Sequence, residues 1–305
     1  MVVPSVMSVV MMSLDVVFNF FLIFPTRPVQ LFGAEVTIPG MGMGVVGAAI
    51  GTVSAELVAA SITMYILCFR SKELSLRIDT GRFLPTWGVV KRALHISLPM
   101  GLQQTIMCSA YVMTTIIIAP LGTFAIAANS FGVIVESLCY MPGYGIADAA
   151  TTLVGQSIGA GRHELMKRFA WLSVGLGMGI MTLMGVVMYV GAPFAMAMMT
   201  PAEEVRRLGV EVLRIEAFAE PMFAAAIVSY GVFVGAAKTL VPSIMNLVSI
   251  WGVRISLAAL LAPSMGLRGV WIAMCIELCF RGFIFLVKLK FWNIQTSCNH
   301  YGKDQ

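Results

Sequence analysis

Eight apolar runs, each long enough to cross a bilayer, dominate the chain: residues 4–24, 42–69, 94–119, 123–157, 166–192, 205–235, 240–262 and 266–289. A helix needs roughly 20 apolar residues to span the hydrocarbon core. An unbroken run of that length folds in lipid as a helix, because a helix satisfies its own backbone groups where no water can. The expected fold is therefore an all-α, polytopic membrane protein with eight transmembrane helices. Composition agrees: 59% of the 305 residues are hydrophobic and 11% charged, with a mean hydropathy of +0.90, which describes a chain dissolved in lipid.

The basic balance, a formal net charge of +5, does not describe a nucleic-acid binder, since the Lys and Arg residues sit in short loops and form no continuous patch. They orient the chain instead. If loops alternate sides, thirteen Lys and Arg fall in residues 70–92, 162–168, Lys238 and the C-terminal tail, against Arg27, Arg206, Arg207 and Arg268 on the other side. The positive-inside rule then puts both termini and the 70–92 loop in the cytoplasm of a cell with the protein in its inner (plasma) membrane. Arg214, Arg254 and Arg281 fall within helices. The six cysteines lack a disulfide spacing or a C-x-x-C pair and read as small apolar fillers. His95, His163 and His300 form no metal spacing, and no nucleophile, base and acid constellation appears, so an intramembrane enzyme finds no support. Gly42, Gly44 and Gly47 match G-x-G-x-x-G, but with no preceding strand or βαβ unit they read as close helix packing.

Against this apolar background, isolated polar groups inside helices become functional candidates. Asp15 and Asn19 stand i, i+4 on one face of the first helix; the alternative is that Asn19 simply hydrogen-bonds Asp15 or the backbone. Glu56 lies alone in the second helix, and Gln103 and Gln104 adjoin each other in the third. The Pro- and Gly-rich stretch after the first helix, PTRPVQLFGAEVTIPG, reads as an external excursion. Glu216 and Glu220 stand four apart in the sixth helix, the second followed by Pro221. Arg214 and Glu216, near the outer end, read as a solvated pair, and Glu220 as the deeper candidate. Glu277 and Arg281, i, i+4 in the last helix, suggest a mutually neutralising structural pair.

The most informative stretch is residues 129–161, NSFGVIVESLCYMPGYGIADAATTLVGQSIGAG. Pro142 removes a backbone donor, and Gly143 and Gly145 lower helix propensity beside it, so a helix break or kink is expected there. Glu136, six residues earlier, is either a functional carboxylate or one satisfied by hydroxyls or amides of a neighbouring helix. The run Glu136-Ser137, Tyr140-Met141-Pro142-Gly143, Gly145, Ala149-Ala150, Leu153-Val154-Gly155-Gln156 and Gly159-Ala160-Gly161 resembles the eighth-helix signature of the multidrug and toxic compound extrusion (MATE) antiporters. Further matches are Leu22-Ile23-Phe24 with Gly44-Val45-Val46-Gly47-Ala48-Ala49, Leu98-Pro99, and Gly235-Ala236-Ala237-Lys238-Thr239 with Pro242.

An internal repeat leads to the same place. Residues 2–10, VVPSVMSVV, match residues 240–248, LVPSIMNLV, at five of nine positions, and each copy is followed by a helix and a G-x-x-G start to the next, Gly44 and Gly47 or Gly266 and Gly269. Both copies start on one side of the membrane, as in a parallel repeat about an axis along its normal. Four helices, residues 94–238, precede the second copy and none precedes the first, so a complete first lobe would need about 145 further residues. The resemblance implies two lobes of six helices, with this chain holding the last two of the first lobe and all of the second: residues 1–92 a partial first lobe with the inter-lobe loop, 93–292 the second lobe, 293–305 a cytoplasmic tail. An N-terminally truncated transporter is expected, one that could need a first-lobe fragment as partner.

From the resemblance follows the expected function: a cation-coupled antiporter, driven by H+ or Na+ and needing no other cofactor, that exports amphipathic organic cations by alternating access. It also implies that Asp15 and Asn19, which carry the family's fifth-helix Asn and Asp in reverse order, form the coupling-ion site. Apolar Met107 stands where some relatives carry a sodium-binding Glu. Glu136, Glu220, Glu56, Gln103 and Gln104 are the candidates for a substrate and ion cavity. A lipid-linked sugar flippase of the same superfamily is the rival transport reading, for which a strongly basic cavity would speak, and a non-functional fragment is another.

Overall fold

The computed structural model describes residues 2–31, 34–70 and 86–292, and the chain divides into two compact units, Met1–Pro85 and Thr86–Gln305. The C-terminal tail and most of the 70–92 loop lie outside the described residues. Residues 87–92, placed in that loop by the sequence, open a helix instead.

In the first unit, α1 (Val2–Ile23) and α2 (Gly44–Tyr65) pack along each other. Gly47, Gly51, Ala55 and Ala59, spaced by four, are the buried positions of α2. Such a stripe of small residues lets two backbones approach closely, the usual adhesive between helices that gain nothing from a hydrophobic effect in lipid. A Cβ at Gly47 would collide with the Leu22 carbonyl, so this glycine packs as expected; Gly42 and Gly44, at φ +65° and +55°, serve the turn before α2 rather than the packing. The stretch read as an irregular excursion is an antiparallel hairpin, β1 (Pro25–Leu31) with β2 (Ala34–Met41), pairing Arg27 with Ile38 and Leu31 with Ala34. Its alternation of Val, Thr and Ile suits strands, and the prolines in it mask that signal. This hairpin is the one departure from an all-α description among the described residues.

The second unit holds α3 (Trp87–Ile118), α4 (Thr123–Gly159), α5 (His163–Met199), α6 (Glu203–Glu216), α7 (Glu220–Gly235), α8 (Leu240–Leu247), α9 (Ser256–Met265) and α10 (Leu267–Lys290). A π-helical stretch, Val248–Ile255, joins α8 to α9, and Leu240–Met265 is one membrane span. Its core lies among α4, α5, α7 and α10, where Met181, Val228, Trp271 and Phe285 are buried. Small residues again set the spacing: Gly231 abuts the Ala147 backbone, Gly282 the Met222 backbone, and Thr151 Oγ1 donates to the Gly231 carbonyl at 2.8 Å. Counting α6 and α7 as one bent span, eight described segments are long and apolar enough to cross a membrane.

Helix continuity differs at the two prolines. Pro142 does not end its helix: α4 runs from Thr123 to Gly159 with the proline inside it. Gly143 is filled from outside by the Met181 side chain, and Gly145 has open space where a side chain would stand. The break falls instead between Glu216 and Glu220, where α6 and α7 diverge by 60°. Pro221 starts the new helix, and its ring would clash with the carbonyl of Ala217 if the old one continued. Gly185 of α5 makes room for that freed carbonyl, which an added Cβ would meet at 2.9 Å.

Candidate ion and substrate sites

In the first unit, Asp15 and Asn19 sit half-buried on α1, and Asn19 Oδ1 rests on Gly51 of α2, where any side chain would displace it. Both Oδ1 atoms are buried without a hydrogen-bond partner, so the two residues do not satisfy each other through these atoms. Leaving a buried acceptor unmade costs about 1–3 kcal/mol, more for a charged group. Such a pair of oxygens on one helix face can accept a cation or a proton. Glu56, on the same helix as Gly51, is exposed.

The second unit concentrates its charge around the break. Glu216 and Glu220 are each 1% exposed, and none of their four carboxylate oxygens has a partner. Glu136 of α4, 6% exposed, lies within electrostatic reach of both, and of Arg254 in the π-helical stretch and Arg281 of α10. Arg254 stacks over Tyr111 at 5.9 Å and points a guanidinium nitrogen at the Met274 sulfur. Arg281 Nε stands 3.2 Å from Glu277 Oε1, which also accepts a 2.6 Å bond from Ser249 Oγ. That is the neutralising pair expected from spacing. Arg281 further caps the Phe223 ring at 5.4 Å, and Phe223 meets Tyr140 edge-on at 5.6 Å, linking α10, α7 and α4 beside Glu136.

Glu216 is the residue that sequence reading misplaced. It is buried, not solvated, and it is Arg214 that is exposed, over Tyr189 at 5.2 Å. The signal was present in the periodicity: Val205, Gly209, Val212 and Leu213 are the buried face of α6, and Glu216 continues that phase. Arg254, a guanidinium inside an apolar run, carries a comparable signal. Gln103 is half-buried, with Oε1 unpartnered, and lies with Ser243 within hydrogen-bonding reach of the Tyr230 hydroxyl; Gln104 is exposed. The structure therefore gathers Glu136 with Glu220 and adds Glu216, Arg254 and the Glu277–Arg281 pair. Gln104 and Glu56 stand on exposed faces. Among the described residues, no three acidic, His or Cys side chains are placed to hold a metal ion together.

A profile of the MatE family matches residues 99–260, more than half of the chain. The chain belongs to the MATE family. MATE proteins are multi-pass membrane transporters, not enzymes. Curated relatives agree with this: a "Probable multidrug resistance protein NorM" of Thermotoga maritima is 28% identical over 250 residues, 80% of this chain and 53% of that protein. A protein of the same name from Xylella fastidiosa is 29% identical over 238 residues, covering 77% and 50%. This MATE chain thus spans about half the length of the curated relatives it matches. Solved MATE folds superpose closely. An outward-facing multidrug resistance MATE transporter of the MOP superfamily gives a TM-score of 0.83 at 19% identity, over 96% of this chain and 62% of that one. The Vibrio cholerae MATE transporter VcmN, as a mutant, gives 0.81 at 18%, over 94% and 61%. A MOP superfamily transporter from Pyrococcus furiosus, described as having a binding pocket of reversed polarity, gives 0.80 at 19%, over 93% and 61%.

Proposed function

We propose that the chain works as part of a cation-coupled efflux antiporter for amphipathic organic cations, with alternating access between two lobes and both termini on the cytoplasmic side of the inner membrane. The observation that carries this reading is the buried group of Glu136, Glu216 and Glu220 around the α6/α7 break, two of them without a partner at either oxygen. A bare carboxylate in a low-dielectric interior is strongly disfavoured, so those that no guanidinium balances must hold a proton or a cationic ligand. Four buried carboxylates, Glu277 included, face two guanidiniums, Arg254 and Arg281. The two charges left over can be met by protons or in part by an organic cation, so a bound proton and a bound organic cation can replace each other. Mutually exclusive occupancy of that kind couples two opposed fluxes.

Asp15 and Asn19, with two orphan oxygens, Asn19 Oδ1 against Gly51, are the proposed coupling-ion site of the first lobe. Carboxylates spread around a helix break rather than caged suit a proton or an organic cation better than a small metal ion. The excess of acids over bases speaks against a lipid-linked sugar flippase, whose anionic cargo asks for the opposite sign.

The test is dye efflux from cells expressing the chain, with and without a four-helix first-lobe fragment from a full-length relative. Glu136→Gln and Glu220→Gln should each slow export of a cationic dye about tenfold, the equivalent of 1.4 kcal/mol, while a neutral dye of similar shape is less affected. Equal loss for both dyes would assign these carboxylates to structure rather than transport.

A further inference from the structure

Where α5 begins and α10 ends, the second unit carries a cavity of about 390 Å3. Lys167 and Trp171, one turn apart on α5, form one wall, and Lys290, Phe291 and Trp292 the other. Buried core residues, Met166 and Leu289 among them, close its floor. Neither lysine has a carboxylate within ion-pair distance among the described residues. The Trp292 ring is held against Phe233 at 5.1 Å, and its indole N–H is buried with no hydrogen-bond partner. Phe291, by contrast, is 75% exposed and Trp171 46%.

This is a positive, donor-rich recess rimmed by exposed aromatic rings. Its depth fits the bilayer boundary. α10, with 24 residues, rises about 36 Å against a core of about 30 Å, which leaves Lys290 at headgroup level, where Trp and Lys are expected. Basic pockets between helices on the Lys/Arg-rich side of a membrane protein take anionic headgroups.

We infer that the cavity binds the phosphate of an anionic phospholipid. Lys167 and Lys290 supply the countercharge, and Trp171 and Phe291 lie against the lipid body.

The experiment reconstitutes the 305-residue chain in vesicles of phosphatidylcholine doped with either brominated phosphatidylglycerol or brominated phosphatidylcholine, and reads tryptophan quenching. Brominated phosphatidylglycerol should quench more at equal mole fraction, and Trp171→Phe should remove most of that excess while Trp87→Phe leaves it. Each of Lys167→Gln and Lys290→Gln should weaken the preference roughly fivefold, with Lys167→Arg retaining it and unfolding curves unchanged. Equal quenching by the two lipids, or a preference that survives in the double Gln variant, would overturn the assignment. So would loss of the preference to millimolar glycerophosphate, which marks a site for free phosphate, or a preference that emerges only after residues 293–305 are removed, which marks the chain's own tail as the occupant.

Discussion

Two helix pairs in this protein share a plan and differ in how they treat buried charge. In the first, α1 is followed by α2; in the second, the span Leu240–Met265 is followed by α10. Each second helix starts at or just after a glycine with positive φ, Gly44 at +55° and Gly266 at +63°. In each, a glycine three residues on meets a backbone carbonyl near the end of the preceding helix, Gly47 at Leu22 and Gly269 at Leu261. The frame is therefore set by backbone contact, which tolerates no side chain. The polar contents diverge. Position for position, Asp15 and Asn19 correspond to apolar Val253 and Leu257, and the second pair has instead placed Glu277 between Ser249 and Arg281. One pair leaves both Oδ1 atoms orphaned and the other balances its carboxylate with a guanidinium and a hydroxyl at Oε1, which separates a group able to exchange a ligand from one that holds helices in place.

The comparison predicts unequal responses to substitution, of which the largest lies in the second pair. Arg281→Leu, with Glu277 kept, leaves a buried carboxylate uncompensated and should cost about 3–5 kcal/mol, seen as a large fall in the thermal midpoint in detergent. Glu277→Leu combined with Arg281→Leu should recover most of it. A double variant as unstable as the single one would mean that the pair does not act by mutual neutralisation. Next in size, Gly47→Leu and Gly269→Leu should each cost about 1–3 kcal/mol by overpacking against a carbonyl. A marked difference between them in the same unfolding assay would break the claim of a common frame.

The smallest effect on stability belongs to Asp15→Asn, expected within about 1 kcal/mol of the parent because it removes a charge that no ion pair among the described residues compensates. Ion-driven efflux in cells that also supply a first-lobe fragment should nevertheless be lost. Retained efflux would remove Asp15 from coupling, and a collapse in stability would turn it into a structural group like Glu277.

Much of the fold was legible because its signal is local. Runs of apolar residues at bilayer length, and glycines spaced by four, state a membrane helix and its close-packed face without reference to any other segment. The Glu277–Arg281 pair was legible for the same reason, since i, i+4 spacing on one helix already juxtaposes the two. The hairpin at residues 25–41 is hidden by its prolines, and the interruption beside Pro221 is hidden because a proline in an apolar run does not say whether its helix will end. A proline interrupts a helix only if the surrounding packing also permits the bend. Gly185 of α5 provides the space beside Pro221, while α4 continues through Pro142.

What the sequence by itself determined is a polytopic helical MATE protein with a few isolated acids in lipid-compatible helices. What only the tertiary structure decided is which of those acids meet. Glu136, Glu216 and Glu220 come from segments separated by up to 84 residues of chain, and the bend at Ala217–Ala219 turns Glu216 and Glu220 into the same buried space as Arg254. Single-helix periodicity could show that Glu216 lies on an inward face. It could not show what stood opposite, because electrostatic balance in a low-dielectric interior is a property of all the packed helices together.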